Sequence, residues 1–394
     1  MELASKDSCT GCGNCRLVCK KKAVTFTRDA LNNIYPVIDS SKCVECGLCQ
    51  KACPAINQVE KITPKQCYSC YATNKAIRKS SASGGVAQAI YRWCLKSDIP
   101  FAGVYFDNKE LTAKYKLGFS EEDIHQFTNS KYTFSFMGNI SEDIADILKN
   151  GKPLVFIGLP CQVAAVKKYA EIKKVNTENL FTVDIICHGV PSDLYIKEHV
   201  KNICNGGAEI DRLSFRDERF MTSKFVFSVD YNGKNYHKYV ESNDNFQIGY
   251  HNATIYRPNC YSCMYAGPNR CGDLTIGDFT GLGRVASVDG NLAEMKYQGV
   301  SCVLCNSEKG QKFLAQLGNE KYLSIDSRPI EEALKFENQL ANPSTPSAYR
   351  NRFVELYPEK GFDKACNVVF KKEKLKRPII HAVKMCVKKV LGRR

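Results

Sequence analysis

The chain has 394 residues, 44% of them hydrophobic and 25% charged, with 21 cysteines and a net charge of +15. That is an ordinary globular composition, long enough for about two or three domains, and no apolar run approaches the ~18 residues of a membrane span. Ten Lys/Arg against one Glu lie between Lys371 and Arg394, so most of the excess charge is one tail and gives little support to a nucleic-acid partner.

Met1–Asp7 has no apolar core, so no signal peptide is expected and a cytoplasmic setting follows. Cysteines there serve more often as metal ligands or reactive thiols than as disulfides. Two runs of the form C-x2-C-x2-C-x3-C follow, Cys9, Cys12, Cys15, Cys19 and Cys43, Cys46, Cys49, Cys53. This is the ligand pattern of a two-cluster bacterial-type ferredoxin, in which the fourth cysteine of each run serves the other cluster. Cys9, Cys12, Cys15 and Cys53 are therefore assigned to one [4Fe-4S] cluster, and Cys43, Cys46, Cys49 and Cys19 to a second. Zinc prefers separated C-x2-C pairs, which argues against that alternative. Residues 24–42 read as a short hairpin between the runs, and Gln58–Gln66 as a linker.

Beyond the linker, Tyr68–Thr73 suits a strand. Ser80–Gly85 then leads into an apolar-periodic helix, Val86–Lys96. Such a loop suits phosphate through its free N–H groups, or is simply a capped helix start. It is neither a P-loop nor a G-x-G-x-x-G fingerprint. Phe101–Phe106 reads as a strand, Ile140–Asn150 as a helix and Lys152–Ile157 as a buried strand, with Gly158–Gln162 turning into a helix over Val163–Ala170. Phe181–Ile186 is another buried strand, running into Cys187-His188. Both loops follow strand ends, where open α/β sheets place ligands. Asn232-Gly233 between alternating runs predicts a hairpin. Leu274–Phe279 and Val300–Asn306 read as strands, Glu308–Leu317 and Glu331–Leu340 as helices, and Pro343–Pro346 as the end of the folded body.

Cys302 and Cys305 are spaced like a ligand pair but lie in a strand, whose alternation points positions i and i+3 to opposite faces. They are read as core, as are Cys67, Cys70 and Cys94. Cys161, Cys187, Cys260 and Cys263 lie in loops and make a set of four. Spacing alone leaves a third [4Fe-4S] cluster and a four-cysteine zinc site both open, with Cys271 a possible substitute ligand.

Taken together, Ser81–Gly85, Ser130–Tyr132, Gly158–Gln162, Cys187–Pro191, Ser214–Asp217, Arg257-Pro258 with Cys260-x2-Cys263, and Ile276–Phe279 resemble the coenzyme F420 hydrogenase/dehydrogenase beta-subunit family in a form with a fused ferredoxin. The resemblance implies FAD, bound by Ser83, Gly84, Gly85, Ser130, Lys131, Tyr132, Gly158 and Asp278. It also implies a third cluster on Cys161, Cys187, Cys260 and Cys263. It implies electron transfer between one-electron carriers and a hydride acceptor of unknown identity, with a redox protein as partner and His188 as a candidate proton donor. The rival is an electron-transfer adaptor without turnover of its own, serving for example bacterial polysaccharide synthesis. The expected fold is α+β. A two-cluster domain (1–60) precedes a larger mixed α/β core (67–150 and 151–345) and a basic tail (346–394). In that tail Ile379–Leu391 has the spacing of an amphipathic helix that could lie on an anionic membrane.

Overall fold

The computed structural model describes residues 2–220, 222–296 and 298–377. The stretch Ile379–Leu391 and its membrane reading lie outside these residues. Among the described residues no helix is long and apolar enough to cross a membrane.

The N-terminal module is a two-stranded hairpin, β1 (Val24–Arg28) against β2 (Ile34–Ile38), with a single-turn helix in each cysteine run. The core is one nine-stranded sheet, so the segments on either side of residue 150 form one body. Its order is β14 (Leu323–Arg328), β3 (Gln66–Ala72), β13 (Ser301–Cys305), β12 (Leu274–Asp278), β8 (Leu180–Ile185), β7 (Leu154–Gly158), β4 (Phe101–Asp107), β5 (Thr112–Gly118), β6 (Ser135–Phe136). The pairings make β3, β4, β7, β8 and β12 run one way and the other four the opposite way. The five strands that share a direction end on one edge. The segment 73–85 with its short helix Lys75–Ser80, the start of helix Pro160–Ile172 and the loop 186–191 leave from that edge, and Asp278 lies on it.

Alternation in β7 gives the sheet two buried faces. Val155 and Ile157 join a core with the helices Val86–Lys96 and Glu308–Asn319, while Leu154 and Phe156 join one with Ile140–Lys149 and Pro160–Ile172. Helices on both faces explain why these strands are almost wholly apolar. The predicted hairpin is present, β10 (Phe227–Tyr231) with β11 (Lys234–Lys238), beside β9 (Ile210–Ser214) in a second sheet. Asn232 and Gly233 both take positive φ, as the tight turn requires.

Two expectations are corrected. Glu331–Leu340 is not one helix but a turn of helix at Glu331–Leu334 and a 3-10 turn at Asn338–Leu340. The folded body does not end at Pro343–Pro346, and residues 346–377 are not a tail. Helices Arg350–Lys360 and Phe362–Val369 put Phe353, Leu356, Tyr357, Phe362 and Cys366 into a third core with Tyr195, Phe227 and Phe246. Their apolar spacing drives this burial; Arg350 is buried with them, donating to the Thr254 carbonyl, while Arg352, Lys360 and Lys364 stay exposed. His199 fastens the same region, with its two ring nitrogens 2.8 and 2.9 Å from Asp363 and Asp244.

Phe353 is fully buried among Tyr195, Tyr357 and Phe362. Phe353→Ala is therefore expected to lower stability by about 3–5 kcal/mol in urea unfolding. A neutral result would mean the C-terminal helices add nothing to the core. A second expectation concerns pH. Burial alone would lower the His199 pKa, but the Asp244 and Asp363 carboxylates hold the ring protonated and push it up to about 10. Its contribution is complete below the unfolded value of ~6.5 and is lost as pH rises toward the folded value. The thermal midpoint should thus fall more steeply with rising pH in the wild type than in His199→Gln; parallel curves would exclude this linkage.

Candidate electron-transfer site

The first cysteine group is assembled from both runs. One cavity is lined by Cys9, Cys12 and Cys15 together with Cys53, and walled by Leu3 and Phe26. Backbone geometry makes this possible. Gly11 and Gly13 take φ of +73° and +86°, turning the loop around the cavity where a side chain would be strained. In the second group Cys49 stands near Cys43 and Cys46 and packs with Cys19. Cys46 is exposed, whereas Cys9 and Cys15 are buried.

Cys161, Cys187, Cys260 and Cys263 line a single cavity at the carboxyl edge of the sheet. Cys161 comes from the first turn of Pro160–Ile172, after β7, and Cys187 follows β8. Cys260 and Cys263 come from a short helix, Pro258–Tyr261, and the turn beyond it. That segment is held in place by an Arg257 N–H···O=C Val190 bond and a Pro191–Tyr256 bridge. Cys271 is not in the cavity lining; it is buried beside Asp184 and Arg270. Cys12 of the first group is close enough to act electrostatically on Cys161.

These thiols are poor anions on their own. Burial pushes Cys12 up to about 12 and Cys260 up to about 11, and it raises Cys161 and Cys187 as well, with neighbouring cysteines adding to it. Iron binding would take them as thiolates and offset that cost. Four thiols line each of two cavities, a donor set of the kind a cubane cluster takes, and in the second group Cys49 has Cys43 and Cys46 as neighbours, while among the described residues no three ligand side chains stand close enough to hold a single metal ion. Cys302 and Cys305, in contrast, are buried in β13, with Cys302 3.9 Å from Cys67 in one core and Cys305 in another.

The residues expected to contact flavin fall into linked groups. Ser83 donates to the Val300 carbonyl, and the Gly84 N–H to Ser301 Oγ at 3.0 Å. Ser301 pairs in register with Asp278. Asp278 accepts from Arg216 Nη1 at 2.8 Å, and Arg216 lies over the Phe225 ring. Tyr132 stacks on Tyr250 with centroids 4.4 Å apart. Ser130 follows Asn129, whose amide reaches Ser214 and the Arg216 carbonyl. Desolvation pulls Lys131 down to about 7, and its Nζ donates to the Gln126 and Thr128 carbonyls. Helix Val86–Lys96 starts at Gly85 with no capping side chain, which leaves its N–H groups available to an anion. Gly158 instead has a packing reason, since a Cβ there would meet Tyr115 Oη at 2.7 Å.

His188 is exposed, lines the cysteine cavity and accepts from Ser344 Oγ through its carbonyl. Burial, with the charges of His188 and Arg216, lowers His251 to about 4 and keeps it neutral. Arg216, Phe225, Tyr250 and His251 were not singled out one by one from sequence. Only Arg216 lay in a noted motif; the others carry no local signal.

Two segments of the chain match known protein families. Residues 151–330 match the family described as the C terminus of the coenzyme F420 hydrogenase/dehydrogenase beta subunit, and residues 8–57 match the 4Fe-4S dicluster domain. The beta subunit of an F420-dependent formate dehydrogenase from Methanocaldococcus jannaschii is 22% identical over 281 residues, which are 68% of this chain and 63% of that one. The match thus spans less than two thirds of that relative's length. A chain of the F420-reducing [NiFe] hydrogenase complex from Methanosarcina barkeri, studied by xenon derivatization, is 19% identical. It covers 78% of this chain and 92% of its own, with a TM-score of 0.46. Residues 8–57 thus form a 4Fe-4S dicluster domain, which binds [4Fe-4S] clusters, and residues 151–330 match the C-terminal domain of coenzyme F420 hydrogenase/dehydrogenase beta subunits.

Proposed function

We propose that the chain is an iron–sulfur flavoprotein oxidoreductase that passes electrons between a one-electron donor protein and a hydride-accepting partner. One observation carries this reading. The three cysteine groups stand in series, from the exposed Cys46, through the Cys9–Cys53 cavity, to Cys161, and the last group abuts the Tyr132–Tyr250 stack. In this reading Cys9, Cys12, Cys15 and Cys53 hold one cluster, Cys19, Cys43, Cys46 and Cys49 a second, and Cys161, Cys187, Cys260 and Cys263 a third. The side chains that would hold FAD are Ser83 at the uncapped helix start, Ser130, Lys131 and Tyr132, and Asp278 with Arg216. When bound, FAD supplies the exchange between single electrons and a hydride.

The protein's own part is binding, orientation and exclusion of water. The Tyr132–Tyr250 stack lies beside Cys187 and Cys260, and the Arg216–Asp278 pair puts fixed charge at the sheet edge where a polar cofactor would be oriented. His188 is the exposed imidazole at the cysteine cavity and the proton carrier of this reading; His251 stays neutral. The relatives bear the names of a dehydrogenase subunit and a hydrogenase complex, which supports a separate redox protein as partner, docking at the Cys46 end. A deazaflavin is the first acceptor to try. Transfer to a protein partner with no reduction of any small molecule would favour an adaptor.

Anaerobically isolated protein should carry about twelve iron and twelve sulfide per chain. Cys187→Ala should carry about eight, and Cys302→Ala about twelve, because Cys302 is a core residue of β13. Equal losses in the two variants would overturn the division of ligands from core thiols. Arg216→Met leaves Asp278 without its cation and is expected to lower FAD content roughly tenfold, read from flavin absorbance after gel filtration. Unchanged flavin would remove this pair from the cofactor site.

A further inference from the structure

Arg257 is 1% exposed and is among the largest fully buried side chains. It forms no ion pair with any carboxylate among the described residues. Its polar partners are neutral, with Nη2 donating to the Ile34 carbonyl at 3.1 Å and Nε to Asn259 Oδ1 at 3.3 Å. The guanidinium also lies over the rings of Phe134 and Tyr35, at 4.7 and 5.2 Å from their centroids. A buried cation needs a compensating anion or it costs several kcal/mol. No carboxylate supplies one, so the anion must be something else.

Its position says what. Arg257 caps the short helix that carries Cys260, whose N–H bonds to the Arg257 carbonyl at 3.0 Å. The side chain then crosses into the N-terminal module. Nη2 would lie 3.3 Å from a Cβ built on Gly11, between Cys9 and Cys12. The guanidinium therefore stands between the first and third cysteine groups. Its backbone anchors the Cys260 turn and its side chain reaches the Cys9–Cys12 loop, and none of its hydrogen bonds or ring contacts among the described residues falls in the Cys43–Cys49 run. A cubane on four thiolates is a net dianion when oxidised and a trianion when reduced, so each added electron strengthens its attraction to a nearby cation.

We propose that Arg257 is a positioning residue for electron transfer, the shared buried counter-charge of the first and third clusters, which raises the potentials of both and leaves the second cluster unaffected. The proposal rests on the three-cluster reading above. It is not a ligand role, and it does not require Arg257 to touch flavin or substrate.

The test is an anaerobic redox titration of the holoprotein followed by EPR, with iron counted in the same samples. Arg257→Gln removes the charge. Asn259→Asp keeps the guanidinium but sets a carboxylate beside its Nε, and being nearly isosteric it serves where the first variant loses its clusters. Either change is expected to lower the reduced-to-oxidised ratio of two clusters at a fixed potential by on the order of tenfold, equivalent to ~59 mV for one electron. The third potential should stay put, and Arg257→Lys should stay close to wild type. No shift in Asn259→Asp, equal shifts of all three clusters, or an Arg257→Lys shift as large as that of Arg257→Gln would overturn the proposal. About eight iron in the wild type, with one potential moving, would instead sink the third-cluster reading and leave Arg257 acting on the Cys9 group alone. The two failures are therefore distinguishable.

Discussion

The placement of the cysteine groups depends on one buried amide. Asn14 is fully buried, and its Nδ2 donates to the Ala165 carbonyl at 2.8 Å and to the Ala52 carbonyl at 3.2 Å. Those three residues belong to three ligand-bearing segments. Asn14 lies between Cys12 and Cys15, Ala52 precedes Cys53, and Ala165 lies one turn after Cys161 in the same helix. A single side chain thus ties the two halves of the first group to each other and to the third. Both bonds are made in a dry seam, where an unmet carbonyl would cost about 1–3 kcal/mol, so the contact is favoured over any that lets the module slide.

Around that point the module is fixed by an apolar seam, Leu17, Val18, Leu48 and Ala52 against Ala145, Tyr169 and Ile172, and by polar contacts at its rim. Arg28 grips Asp193 through two nitrogens at 2.8 and 3.0 Å, Tyr265 donates to the Pro54 carbonyl, and Tyr195 donates to the Leu31 carbonyl. A domain of about fifty residues has little core of its own, and here much of its interior is given to cysteines. Directional bonds at its rim define an orientation more sharply than apolar burial would, because each has a narrow range of useful geometry. For electron transfer the orientation matters as much as the affinity, since it sets how near Cys12 comes to Cys161.

The same logic explains which parts were legible in the sequence. The N-terminal cysteine runs were readable because iron–sulfur ligation demands a fixed local spacing. The dismissal of Cys302 and Cys305 was readable because strand alternation is local too. The four loop cysteines could be collected as a set, but their convergence is decided by sheet order, which puts β7 beside β8 and brings Pro258–Tyr261 over both. Arg216, Tyr250 and His251 meet only through the second sheet and a helix not predicted from sequence, Asn245–His251. The C-terminal helices were missed because the lysines around them drew the reading toward a tail. Their apolar positions, Phe353, Leu356, Tyr357, Phe362 and Cys366, carried the opposite signal and decided the outcome.

Exposure differs among the cysteines of the three groups, and that difference has an electrostatic consequence. Cys46 meets solvent, while Cys49 of the same group and Cys9, Cys15 and Cys260 are buried. Water stabilises the extra negative charge of a reduced cluster, so drying a site lowers its potential and makes it harder to reduce. A relay that runs from a wet surface into a dry interior would by that effect alone run uphill for an incoming electron. Neutral dipoles offset part of the difference, as where Cys9, Cys12 and Cys187 receive backbone N–H groups. A full positive charge held without a carboxylate partner does more, because in a low dielectric it is scarcely screened. The buried Arg257 at the junction of the dry groups and the exposed Cys46 at the wet end are therefore linked features. The interior position that protects the chemistry from water is also the position that needs a fixed cation.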